Sequence, residues 1–353
     1  MRLWAEACMV RINRLICLVV YLLAAPGILT AQTELRIADL GTCEIESGDV
    51  IRDCKAGYRT FGTLNDERSN AVLFPTWVTG TSADLVDLIG PGKLVDSSRY
   101  FVIAVDAFGN GVSSSPSNST SQPGAKFPRV SIRDMVSAQY RLARETLGLP
   151  HLHAVVGISM GGMQALEWSV AYPAFVSKAV SIVGSPWLTG YDLLLWNTLA
   201  RIIEQCQRAG CENTAGLVQL VRMVTGFTPQ ERVRRMPRER AFEMMKAAEE
   251  SARADYQLDD ALLQFRAMLN HDVTRRFGGS LERTAAIVQA DAFILNATQD
   301  HSLRPESAKR FGELIRAEVY ESTSDCGHAI LVCEMVPLGQ RISAFLDRPK
   351  KSR

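Results

Sequence analysis

The sequence predicts a chain of the α/β class: a mostly parallel sheet flanked by helices, with a helical cap inserted in it. Three observations point there. Short apolar runs alternate with helical patterns from residue 70 to 184, helical periodicity alone fills 187–286, and the alternation then resumes. Parallel strands are buried on both faces and need a crossover between them, so they appear as apolar runs separated by helical stretches.

The elements follow in order. Arg11 and Arg14 precede the apolar stretch 15–25, then Pro26, Gly27 and the small-residue exit Thr30-Ala31. This is the layout of a secretory signal peptide over residues 1–31, and the apolar run is shorter than the roughly 20 residues a spanning helix requires. The chain is therefore expected to be secreted or periplasmic, with no stable membrane span once the signal is cleaved. Residues 32–186 form the first part of the core, with strands at 71–75, 100–105, 153–158 and 178–183. A helix should start at the capping box Ser131/Asp134 and run to about 147, and another should cover 161–171. The cap, 187–286, holds helices at 193–208, 215–224, 241–252 and 260–268. The second part of the core, 287–353, has strands at 292–297 and 318–322, a helix from Glu306 and a last helix over 331–346.

Composition narrows the function. With 47% hydrophobic and 22% charged residues the chain can build a large core, and a net charge of +1 gives no reason to expect nucleic acid or an anionic surface as partner. Arg232, Arg234, Arg235, Arg238 and Arg240 are interleaved with Glu231 and Glu239, the pattern of a solvated helix face. Beyond the signal lie Cys43, Cys54, Cys206, Cys211, Cys326 and Cys333, an even number that suits disulfides in an exported chain. Sequential pairing closes the shortest loops. No C-x-x-C pair or nearby histidine set suggests a metal, and no cofactor motif occurs.

The chemistry is carried by Gly157-Ile158-Ser159-Met160-Gly161, which follows an apolar strand and opens a helix. That strand–turn–helix setting is the nucleophile elbow of the α/β-hydrolase fold, where small residues allow a sharp turn around an exposed serine. A serine hydroxyl needs a base and a group to orient that base, here in the chain order Ser, acid, His. Asp300 and His328 each lie just past a predicted strand, at the end of the sheet where ligands bind. Of the other histidines, His151 and His153 precede the nucleophile strand, His271 falls among the cap helices, and His301 adjoins the acid too closely to pair with it. Asp325 is the rival acid. For the oxyanion, the Met160 N–H at a helix N-terminus is one donor, and Val78, in the loop after strand 71–75, is the favoured second.

The segments 88–93, 99–103, 127–136 and 156–168 resemble the homoserine O-acetyltransferase family of α/β-hydrolases; the last reads Val156-Gly157-Ile158-Ser159-Met160-Gly161-Gly162-Met163-Gln164-Ala165-Leu166-Glu167-Trp168. The resemblance implies a helical cap, an acyl-enzyme on Ser159 with Asp300 and His328 as partners, and a small acyl ester as substrate; a homodimer is compatible with it. In that family a cap arginine four residues after an asparagine binds the acceptor carboxylate, and Asn197 and Arg201 have that spacing. The chain departs from the family over 205–211 and over 108–113. Both departures fall in substrate-facing regions, so the expected reaction is ester hydrolysis, with acyl transfer to homoserine as the alternative.

Overall fold

A computed structural model describes residues 34–255 and 257–350; the signal segment 1–31 lies outside them. Eight strands form one sheet: β1 (Arg36–Glu44), β2 (Val50–Phe61), β3 (Ala71–Pro75), β4 (Phe101–Val105), β5 (Leu152–Ile158), β6 (Val176–Ile182), β7 (Asp291–Ala297) and β8 (Glu318–Ser322). Their order is β1-β2-β4-β3-β5-β6-β7-β8. β1 and β2 pair antiparallel, as do β2 and β4, and every later pair is parallel.

All six expected strands are present, and β1 and β2 are additional. The reason is visible in β1, where buried and exposed residues mix along Arg36–Glu44 because it lies at the sheet edge. A half-solvated antiparallel strand carries polar residues on its wet face and leaves no apolar run to find. β3 in the centre is buried at all five residues.

The helices are α1 (Ile132–Arg141), α2 (Met160–Ala171), α3 (Gly190–Ala209), α4 (Thr214–Gly226), α5 (Pro229–Arg235), α6 (Ala241–Asp255), α7 (Leu258–Leu269), α8 (Leu281–Ile287), α9 (Pro305–Ile315) and α10 (Ile330–Asp347). The capping box at α1 forms as expected, with Ser131 and Asp134 each bonding the other's backbone. The helix loosens into a π turn over Leu142–Thr146 before the expected end. Among the described residues, the segment from Gly327 to Asp347 is apolar and long enough to cross a membrane by length and composition. Its Leu338, Ile342, Phe345 and Leu346 pack with Phe293 and Val180 of the sheet.

One expectation about the cap is corrected. Leu281, Ala285 and Ile287 of α8 pack on Leu166, Val170 and Phe311, so α8 belongs to the core and the inserted layer ends before residue 286. The layer packs directly on the sheet: Trp196, Leu199, Val218 and Phe265 share one apolar cluster with Leu73 and Val155. The arginine run is not simply solvated either. Glu231 pairs with Arg234 and, at 2.5 Å, with Arg235, while the Arg232 and Arg235 guanidinium groups each lie 4.9 Å from the Phe227 ring centre.

Cys43 is bonded to Cys54, tying β1 to β2, and Cys326 to Cys333. The expected third bridge is absent: Cys206 and Cys211 are free thiols. They meet where Gly210 ends α3 in the left-handed conformation, and their side chains hydrogen-bond, which holds the Cys211 thiol pKa up.

Candidate active site

β5 runs through the buried centre of the sheet and delivers Ser159 at its carboxyl end, one residue before α2 begins. Ser159 takes φ 56°, ψ −120°, a conformation costly for any side chain and met where structure around it enforces it. Two glycines enforce it here. A Cβ on Gly157 would collide with the Gly161 carbonyl, and one on Gly161 would stand 2.6 Å from the Pro75 carbonyl oxygen. The Ser159 N–H donates to Ile182 O at 2.8 Å, fixing the turn to the end of β6.

The structure brings Ser159, His328 and Asp300 together. His328 Nε2 lies 2.9 Å from Ser159 Oγ, and His328 Nδ1 lies 2.7 Å from Asp300 Oδ2. The carboxylate requires Nδ1 to carry the proton, which leaves the Nε2 lone pair to accept from the serine hydroxyl. Asp300 sits in the loop after β7, 1% exposed. Its Oδ1 accepts from the N–H groups of Ser302 at 2.7 Å and Leu303 at 2.9 Å, so the buried carboxylate is held by three donors. Asp325 points elsewhere: Arg234 Nη2 donates to its Oδ2 at 2.9 Å. His153 Nε2 bonds Leu346 O at 2.9 Å, and His301 lies against Tyr191, so neither reaches the serine.

The two proposed oxyanion donors lie on elements beside Ser159. Met160 opens α2, and Val78 is buried in the loop after β3 that forms part of the wall around Ser159. Among the described residues neither amide is engaged by another backbone group. The Val78 loop is held on both sides. Gln164 Nε2 of α2 donates to Thr76 O at 3.0 Å, and the Thr79 N–H, at φ 62°, donates to Gln264 Oε1 of α7 at 2.6 Å.

Ser159 and His328 open into a cavity of about 510 Å³, walled by Trp77, Trp196, Leu199, Met223, Phe227 and Leu331 among others. Arg222 of α4 also lines it and donates from Nη1 to Thr79 Oγ1 at 3.1 Å. Burial lowers the Arg222 pKa to about 10, still charged at neutral pH. Arg201 is not in this wall. It is exposed on α3, two residues past the wall residue Leu199 and thus about 200° around the helix. Sequence reasoning misses Arg222, although a signal exists: it is the one charged residue in the apolar helix TAGLVQLVRMVTG.

One cluster among the described residues, Glu231, Cys326 and Cys333, gathers groups of metal-ligating type within 4.8 Å. The two sulfurs are bonded to each other and the carboxylate to arginines, so the set is already committed.

Comparison with known proteins agrees with the geometry. A family model described as the α/β-hydrolase fold matches residues 89–333. A probable esterase of Corynebacterium glutamicum is 35% identical over 76% of this chain and 82% of that protein. A homoserine O-succinyltransferase of Leptothrix cholodnii is 32% identical over 92% of this chain and 94% of that protein. The crystal structure of an acetylester hydrolase from Corynebacterium glutamicum superposes with a TM-score of 0.83 at 29% identity, covering 89% of this chain and 96% of that one. A catalytic-type Ser-His-Asp chain at the end of this sheet, under a helical layer, thus goes with relatives that are esterases and homoserine O-acyltransferases, and the chain belongs to the α/β-hydrolase family of enzymes.

Proposed function

We propose that the chain is a carboxylic-ester hydrolase that acts through an acyl-enzyme on Ser159. The observation that carries this is the unbroken hydrogen-bond chain from Ser159 Oγ through His328 to Asp300 at the floor of an apolar cavity. Ser159 Oγ attacks the ester carbonyl carbon as its proton passes to His328 Nε2, and the oxyanion takes hydrogen bonds from the Met160 and Val78 N–H groups. Collapse breaks the C–O bond, and His328 returns the proton to the leaving alcohol. Water then attacks the acyl-enzyme, gives its proton to His328, and the carboxylic acid leaves as Ser159 recovers its hydrogen.

The largely apolar cavity suits short uncharged acyl esters. Export supports water as acceptor: the sequence pattern of 1–31 and the two bridges both suit an oxidising compartment, whereas acyl-CoA and homoserine are cytoplasmic. One observation favours the alternative of acyl transfer to homoserine. Arg222 places a half-buried guanidinium in the cavity wall, where it could hold an acceptor carboxylate.

The two readings separate in a direct competition. The enzyme is supplied with acetyl-CoA and homoserine, or with an acetyl ester and homoserine, and both acetate and O-acetylhomoserine are measured. Acetate as the main product in both arms is expected. Efficient O-acetylhomoserine formation that is lost in Arg222→Leu would establish the acyltransferase instead.

A further inference from the structure

The base and the acid stand on loops that leave different strands, yet both loops are bonded to one short stretch of the inserted helices. Thr225 and Gly226 end α4, and Phe227 and Thr228 join it to α5. Ser302 Oγ donates to Thr225 O at 3.1 Å, and the N–H of that same Ser302 holds Asp300 Oδ1. On the other side, Thr228 Oγ1 donates to Asp325 O at 2.6 Å and the Thr228 N–H to the same oxygen at 3.2 Å. Thr228 is fully buried, and Asp325 lies three residues before His328. The intervening Gly327 adopts φ 54°, and a Cβ there would come 2.9 Å from Gln299 O and 3.4 Å from Thr228 N. The base loop is therefore folded tightly against both the acid loop and Thr228. Phe227, between the two tethers, forms part of the cavity wall, whereas Thr228 does not.

We propose that Thr228 is a positioning residue for the catalytic base, tying the cap segment that lines the substrate cavity to the loop that carries His328. Its hydroxyl touches neither the imidazole nor the cavity, and it acts through the Asp325 carbonyl. A substrate packed against Phe227 then bears on the same segment that fixes the imidazole over Ser159. Losing the hydroxyl removes the shorter of the two bonds to the Asp325 carbonyl and leaves the 3.2 Å bond from the Thr228 N–H, so the tether slackens, and a displacement of the base of less than 1 Å is felt in the chemical step rather than in binding. This rests on Ser159, His328 and Asp300 being the working triad.

Thr228 also caps α5, since its Oγ1 accepts from the Glu231 N–H at 3.2 Å, and the test must separate the two roles. The backbone N–H bond to Asp325 O stays in every variant; of the two side-chain bonds, Thr228→Ser keeps both, Thr228→Val keeps neither, and Thr228→Asp keeps the cap acceptor but has no proton for the Asp325 carbonyl. Steady-state hydrolysis of an acetyl ester, its pH profile and thermal unfolding are measured for each, with Ser159→Ala alongside. The expected result is kcat about tenfold or more lower in Thr228→Val and Thr228→Asp with KM within about twofold, and Thr228→Ser close to the parent. The acid limb of the kcat/KM profile should move in the two impaired variants and stay in place in Thr228→Ser. Parent-like kcat in Thr228→Asp would overturn the proposal, since the residue would then serve only as a cap. Thr228→Asp decides between the roles even if Thr228→Val does not fold. Parent-like activity in Ser159→Ala would instead remove the triad reading on which the proposal stands.

Discussion

At Ser159 the backbone is held at φ 56°, and the surrounding glycines leave no room for relaxation. Ser159→Ala should fold as the parent does, since the hydroxyl is a small part of the packing, and should lose about three or more orders of magnitude in kcat. His328→Ala should match it, and Asp300→Asn should fall somewhat short of it. Circular dichroism and ester turnover check both halves. Arg201→Ala, an exposed change, should leave kcat/KM within about twofold of the parent. The triad was legible in the sequence because a strained elbow demands glycines at fixed offsets and leaves them as a written pattern. The cavity arginine was not found by motif spacing, since which side of a helix faces the cavity depends on how the helix docks. Val78 and Met160 are proposed from position along the chain, since a backbone N–H does not depend on side-chain identity. A second pair of residues gives a pH test. Burial raises the Glu167 carboxyl to about 7, outweighing its 2.7 Å bond to Arg133, and burial lowers His271 to about 4. The folded state thus binds more protons at Glu167 between about 4.5 and 7, so that contribution to stability falls as pH rises through the window. It binds fewer at His271 between about 4 and 6.5, so that contribution falls as pH drops. The two oppose each other, and each substitution should unmask the other. Denaturant unfolding of Glu167→Gln should show stability falling by roughly 3 kcal/mol at most from pH 6.5 to 4. His271→Gln should show it falling from pH 4.5 to 7.

Among the elements, the segment from β8 to α10 has the greatest demand on it, because it must turn sharply, present His328 and start a helix. Cys326 is fully buried and Cys333 is exposed, and their bridge encloses His328. Reduction should therefore lower ester turnover before the core unfolds. This is seen when activity and near-ultraviolet circular dichroism are followed together over a series of dithiothreitol concentrations; coincident loss would assign the bridge to global stability alone. Cys326→Ser/Cys333→Ser should reproduce the reduced enzyme. The pairings at 43–54 and 326–333 followed from chain proximity. The same rule failed at 206–211, where the end of α3 leaves the thiols hydrogen-bonded, and proximity in sequence does not determine sulfur geometry. Strand identity was likewise readable where strands are buried on both faces and unreadable in β1 and β2, which lie toward the wet edge.

Over the whole molecule, the inserted helices and the sheet share one apolar cluster, and Ser159 and His328 open into the cavity while Asp300 is buried behind them. The alternation of strands and helices gave the six strands β3 to β8 in advance, and the loss of alternation pointed to an insertion after β6. It could not show that α8 returns to the core or that α4 and α5 tether both catalytic loops, since those features come from packing between segments far apart in sequence. What the assembly as a whole is proposed to do is form an acyl-enzyme and let water release it. Rapid quenching during turnover of p-nitrophenyl acetate, followed by peptide mass analysis, measures this directly. An acetyl group should appear on the peptide carrying Ser159, at the rate of the p-nitrophenol burst, and decay in buffer alone at the steady-state turnover rate. No acetyl on Ser159 during turnover would contradict the nucleophile, and an acetyl that persists until an alcohol is supplied would contradict the hydrolase.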